Sequence, residues 1–141
     1  MESKNISVVD EGRKSQSNHI KYSGMTLYQV FVEVTKQIDF NSFPPHDRTQ
    51  VKDIAMIIAE VFRLPAHANV RIGGEDLPAE MVAEVFTMLT SDHVEYVLEN
   101  LRARKYPIKS MKTYLRTMLY NSVFDITARI ENELRAEGVI D

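Results

Sequence analysis

The 141-residue chain has no cysteine and no tryptophan. Without thiols there is no disulfide framework, no cysteine-ligated zinc site and no thiol nucleophile. No run approaches the roughly 18 apolar residues that suggest a membrane span. The first 24 residues are polar and lack an apolar stretch of signal-peptide length, so a cytoplasmic chain with no membrane association is expected. There is no excess of positive charge either. The net charge of −3 argues against a wholly basic nucleic-acid coat, though not against a local basic patch. No internal repeat and no sustained heptad occurs.

What is present is enough apolar material for one core, 44% of residues, with 26% charged. Residues 1–24 are rich in Ser, Asn, Lys and Glu and show no period. They are expected to form a flexible arm or linker ahead of a helical domain over 25–141. The Ile6, Val8, Val9 cluster offers an alternative, a short strand or a partner contact.

Apolar periodicity sets the helices. Leu27, Val30, Phe31, Val34 and Ile38 form one stripe. Pro44 and Pro45 break the chain, and Asp47 is placed to cap the next helix. That helix shows Val51, Ile54, Ile57, Ile58, Val61 and Phe62 on a wide face and reads as the central one. Over 69–77 the period changes to alternation around Gly73-Gly74, which predicts a small two-stranded wing or an extended loop. The glycine pair lacks the spacing and the Lys-Ser/Thr of a phosphate-binding loop.

Pro78 opens a helix over about 79–89. Ser91 caps another, carrying Val94, Val97, Leu98 and Leu101. A further helix is expected from Ile108 with Met111, Leu115, Met118 and Leu119, and a last one from Asp125 with Ile126, Ile130 and Leu134. The fold class is therefore all-α, five to six helices with a short β-hairpin around 69–77.

No catalytic, cofactor or metal constellation stands out. Of the four histidines, His19, His46, His67 and His93, none pairs with another at metal-ligand spacing. His93-Val94-Glu95 has the His-x-Glu spacing of zinc deaminases but not their cysteines. His93 is expected in a first helical turn, partly buried against the wing. Asp53, Glu60, Glu80 and Glu84 read as solvated helix faces, and Glu80 and Glu84 repel mildly at i, i+4.

The most informative stretch runs LRARKYPIKSMKTYLRTMLYN from Leu101. It holds six cations and no acid: Arg102, Arg104, Lys105, Lys109, Lys112 and Arg116. On a helix begun at Ile108, Lys109, Lys112 and Arg116 share one face. Such a patch can hold phosphates, with Tyr106, Tyr114 or Tyr120 to stack or donate. It can dock an acidic protein surface. It can also be a solvated helix face.

The segment RIGGEDLPAEMVAEVFTMLTSDHVEYVLENL, followed by IKSMKTYLRTMLYN, resembles the C-terminal domain of the replication initiator protein A family of Gram-positive plasmids and conjugative elements. The shared features are Arg71-Ile72-Gly73-Gly74, Leu77-Pro78-x-Glu80, His93-x-Glu95-Tyr96-Val97, Tyr114-Leu115 and Leu119-Tyr120-Asn121. The likeness covers roughly residues 50–122, and 26–49 more loosely. The helix bearing Met111, Tyr114 and Leu115 also looks like the closing helix of the primosomal DnaD domain. After Asn121 this chain departs from the family's Ala-Pro, reading Ser122-Val123-Phe124, and it carries no origin-binding winged helix.

The resemblance implies a helical, non-catalytic accessory domain without a cofactor. Its partner would be a host replication protein, a DnaD-like primosome or helicase-loading component. Non-specific DNA binding through the basic patch and a purely structural or oligomerising role are the alternatives.

Overall fold

The computed structural model describes residues 21–138. Five α-helices and one two-stranded antiparallel sheet lie wholly within them. The fold is thus all-α with a short hairpin, and the wing forms in preference to an extended loop.

α1 spans Leu27–Gln37. Thr26 caps it reciprocally: Thr26 Oγ1 accepts from the Gln29 amide at 3.1 Å, and the Thr26 amide donates to Gln29 Oε1 at 2.9 Å. Two 3₁₀ turns, Phe40–Ser42 and Pro45–Asp47, lead into α2, Arg48–Arg63. α2 buries Val51, Ile54, Ala55, Ile57, Ile58, Ala59, Val61 and Phe62. A helix covered on so much of its circumference has to be central. Tyr22, on the arm side of the expected boundary, is also buried and stacks on Phe62 with ring centroids 4.9 Å apart. The Ile6, Val8, Val9 cluster and His19 lie outside the described residues.

β1 (Asn69–Ile72) and β2 (Glu75–Pro78) pair with Val70 opposite Leu77 and Ile72 opposite Glu75. The two-residue turn needs Gly73, whose φ of 65° lies in the left-handed region. The Gly73 amide donates to Thr117 Oγ1 at 2.9 Å, which fastens the turn to α5, Met111–Ala136. α3 (Ala79–Phe86) follows the hairpin, and α4 (Ser91–Arg102) packs on α5. No helix among the described residues is long and apolar enough to cross a membrane.

Four boundaries differ from expectation, one of them the end of α3, which stops at Phe86 and not near residue 89. Ser110, not Pro107, marks the start of α5, because its Oγ accepts from the Thr113 amide. The expected break near Asp125 is absent. Ser122 is buried and turns its hydroxyl inward to the Leu119 carbonyl at 2.7 Å, so the polar residues there do not interrupt the helix. Before α4 the capping residue is Thr90, and Ser91 is already the first helical residue.

A single polar side chain closes the far end of α1. Gln37 Nε2 donates to the carbonyls of Phe86 and Leu89, both at 2.9 Å, at the C-terminal end of α3. Gln37→Ala leaves both carbonyls short of that donor and is expected to cost about 1–3 kcal/mol of stability. A urea titration at unchanged m-value measures it.

Candidate interaction surface around the α4–α5 loop

The six cations of the 101–121 stretch do not form one uniform patch. Arg102 ends α4, and its Nη2 donates to Asp47 Oδ1 at 2.8 Å. Asp47 is buried at the start of α2, and its side chain makes this pair instead of the expected cap hydrogen bond. Lys112 Nζ sits 2.8 Å from Glu60 Oε1 on α2. Glu60, expected to be solvated, is therefore an internal partner. Both ends of this pair stay open to water, so it stabilises by only about 0–1 kcal/mol while cancelling a charge.

Arg116 is half-buried and donates from Nε to the Arg71 carbonyl at 3.2 Å. It holds the hairpin against α5 and is not a free outward cation. Lys109 lies before the helix starts, so it does not share a helical face with Lys112 and Arg116 as the spacing suggested. The basic helix face is corrected to a basic loop.

That loop, residues 103–110, is exposed at every position except half-buried Ile108. Among the described residues Arg104, Lys105 and Lys109 make no ion pair. The Arg104 guanidinium lies 4.8 Å from the centroid of the Tyr114 ring, a cation–π contact that orients the arginine without consuming its charge. Tyr106 is 77% exposed in the middle of these cations, and Met111 at the helix start is exposed as well. Tyr120 instead packs toward Phe124, with centroids 5.5 Å apart. The cations concentrate on a short connection pinned at both ends, by Arg102–Asp47 on one side and the Ser110 cap on the other.

His93 has a structural explanation. The Thr90 amide donates to its Nδ1 at 3.0 Å, closing a cap in which histidine takes the place usual for Gln or Glu. Burial lowers its pKa from 6.5, against the opposing pull of Asp92. Since the folded state favours the neutral ring, the unfolded chain takes up the proton first. The cap's contribution is complete above the unfolded value and is lost as pH falls from there through the lower folded value. In urea midpoints at pH 7.5 and 5.5, the wild type is expected to lose more stability than His93→Gln, which keeps the cap without titrating.

Further along, the Tyr96 hydroxyl donates to Asp125 Oδ2 at 3.2 Å and Arg129 lies over its ring. Burial first, and the Asp125 carboxylate second, raise the Tyr96 pKa above its usual 10.0. This contact ties α4 to the second half of α5. Among the described residues no group of three His, Cys, Asp or Glu side chains is placed to hold a metal ion.

A family model described as a family of unknown function (DUF6017) matches residues 9–135. The chain belongs to that family. The match takes in the α4–α5 loop, the hairpin and nearly all of α5. No curated protein and no solved structure matches the chain.

The loop cations are visible in the sequence, but the acids that answer their neighbours are not. Asp47 and Glu60 are distant along the chain, and no local pattern marks them as partners. The one signal that could have placed the start of α5 is Ser110, a good cap two residues after Ile108.

Proposed function

We propose that this chain is a non-catalytic, replication-associated interaction domain working in the cytoplasm, with the α4–α5 loop as its contact surface. The partner this reading assigns is a host replication protein, a DnaD-like primosome or helicase-loading component that offers an acidic face. The domain would serve a plasmid or conjugative-element initiator of the kind its sequence resembles. The observation that carries the loop's role is the set Arg104, Lys105 and Lys109, exposed and free of ion pairs among the described residues, in a chain of net charge −3. Unanswered cations of one sign steer an oppositely charged surface and raise its association rate.

The test is capture of purified DnaD by the immobilised chain. Retention by the wild type, and its disappearance on reversing the three loop cations, is expected. No retention at micromolar concentrations overturns the assignment of the partner.

One observation favours direct DNA binding as the second reading. Tyr106 stands exposed among the cations, the arrangement in which a base stacks while its phosphates meet Lys and Arg. A shift of labelled single-stranded DNA at low salt, fading steeply as salt rises, supports it. No shift at low salt removes it.

A further inference from the structure

α3 is apolar on two opposite sides. Ala79, Val82, Ala83 and Phe86 face the core. On the outside, Met81 is 42% exposed and, just past the helix end, Met88 is 56% exposed, while Val85 between them is half-buried and also reaches the core. The spacing of Met81, Val85 and Met88 is i, i+4, i+7, one stripe about 10 Å long at 1.5 Å per residue. An apolar strip on the outer side of a helix, beyond the face already buried in the core, is surface available for a partner.

Met81 and Val85 also line an open groove of about 810 Å³ whose other wall includes Ala66, His67 and Pro78. Glu80 and Glu84 line the same groove. They are half-buried, four residues apart, and among the described residues neither carboxylate has an ion-pair or hydrogen-bond partner. Two such carboxylates on adjacent turns repel each other, and a cation seated between them relieves that repulsion.

We propose that this groove docks a cationic amphipathic helix from a partner protein, its apolar stripe on Met81 and Val85 and its Lys or Arg residues on Glu80 and Glu84. Charge complementarity selects the occupant: an acidic helix meets two unpaired carboxylates, and an uncharged one leaves them unanswered. Methionines suit the role because their unbranched, polarisable side chains adapt to the shape that arrives. In helix-in-groove recognition the anchors at i, i+3 or i+4 and i+7 lie on the bound helix, so the partner is the element that carries that spacing. The chain's own cationic loop does not fit it, since residues 103–110 are not helical and Tyr106 is their sole exposed large apolar side chain. The groove is separate from the α4–α5 loop and is independent of the partner proposed for it.

The full chain, ¹⁵N-labelled, is titrated with a Leu/Lys amphipathic peptide of about fourteen residues, roughly 21 Å of helix. A Leu/Glu peptide of the same pattern is the control. Amide resonances of residues 66–67 and 79–88 are expected to move with the first peptide only. Glu80→Lys with Glu84→Lys is expected to weaken binding about tenfold or more, and Met81→Ser by a similar factor. Glu131→Lys with Glu133→Lys, a second exposed acidic pair, leaves the affinity unchanged. The proposal is overturned by equal binding of the two peptides, by shifts centred elsewhere, or by equal weakening from both acidic pairs. It is also overturned by self-association that Met81→Ser abolishes in sedimentation, which would make a second copy the occupant.

Discussion

Changing Arg104, Lys105 and Lys109 together to glutamate is expected to reduce affinity for an acidic protein face or for DNA by about a hundredfold or more. Three unit charges become three of the opposite sign on a loop where no acid answers them among the described residues. All three side chains are exposed, so the chain stays folded, and an unchanged urea midpoint verifies that. For double-stranded DNA, every phosphate that is no longer neutralised also lowers the slope of log affinity against log salt by about 0.9, and by about 0.7 for a single strand. A triple variant that binds DNA with an unchanged slope shows that phosphates are met elsewhere. Tyr106→Ala separates the readings: it is expected to cost a stacked base about 1–3 kcal/mol and to matter far less for a protein partner steered by charge.

Glu60→Gln makes the opposite prediction from the same geometry. It releases Lys112 from its 2.8 Å pair and adds a free cation beside the loop, so binding is expected to rise a few-fold. The analogous change at Asp47 is not equivalent. Asp47 is buried and holds the 51%-exposed Arg102 in place, so removing its carboxylate unties the end of α4 from the start of α2 as well as freeing a cation.

The helices and the wing were legible because their signals are local. Apolar residues at spacings of three and four placed α1 to α4, and Gly73-Gly74 between alternating residues placed the hairpin. The end of α4, the start of α5 and its continuity past Asp125 depended on weaker signals. Ser110 caps one turn after a proline that reads as the more obvious boundary. Ser122 looks like a break until its hydroxyl is seen folding back on the Leu119 carbonyl. The basic stretch was legible as composition, but its charge balance was not. Asp47 lies 55 residues from Arg102, and only the fold brings the two together. The outer stripe of α3 was hidden for a related reason. Val82, Phe86 and Leu89 are fully buried and mark the inward face, but no local pattern says that Met81 and Met88 stay exposed while half-buried Val85, between them, still packs against the core.

Phe86→Ala is expected to be the most damaging single substitution discussed, costing about 3–5 kcal/mol. Phe86 has no exposed surface and is among the largest fully buried side chains. Its backbone carbonyl also receives one of the two Gln37 hydrogen bonds, so the residue fixes the end of α3 in both packing and polarity. Against a typical total of about 5–15 kcal/mol for a domain, the loss consumes a large share of the margin. It is read as a drop in urea midpoint at constant m. Met81→Ala, five residues earlier on the same helix, is expected to cost less than about 1 kcal/mol, because part of that side chain is already in water. The pair of variants therefore reads the two sides of α3 separately. A mild Phe86→Ala contradicts the core packing described, and a Met81→Ala as costly as Phe86→Ala shows that the outer stripe is already covered within the isolated chain. With Met81 cheap to remove for stability yet needed for the Leu/Lys peptide, the outer side of α3 is assigned to binding and the inner side to folding.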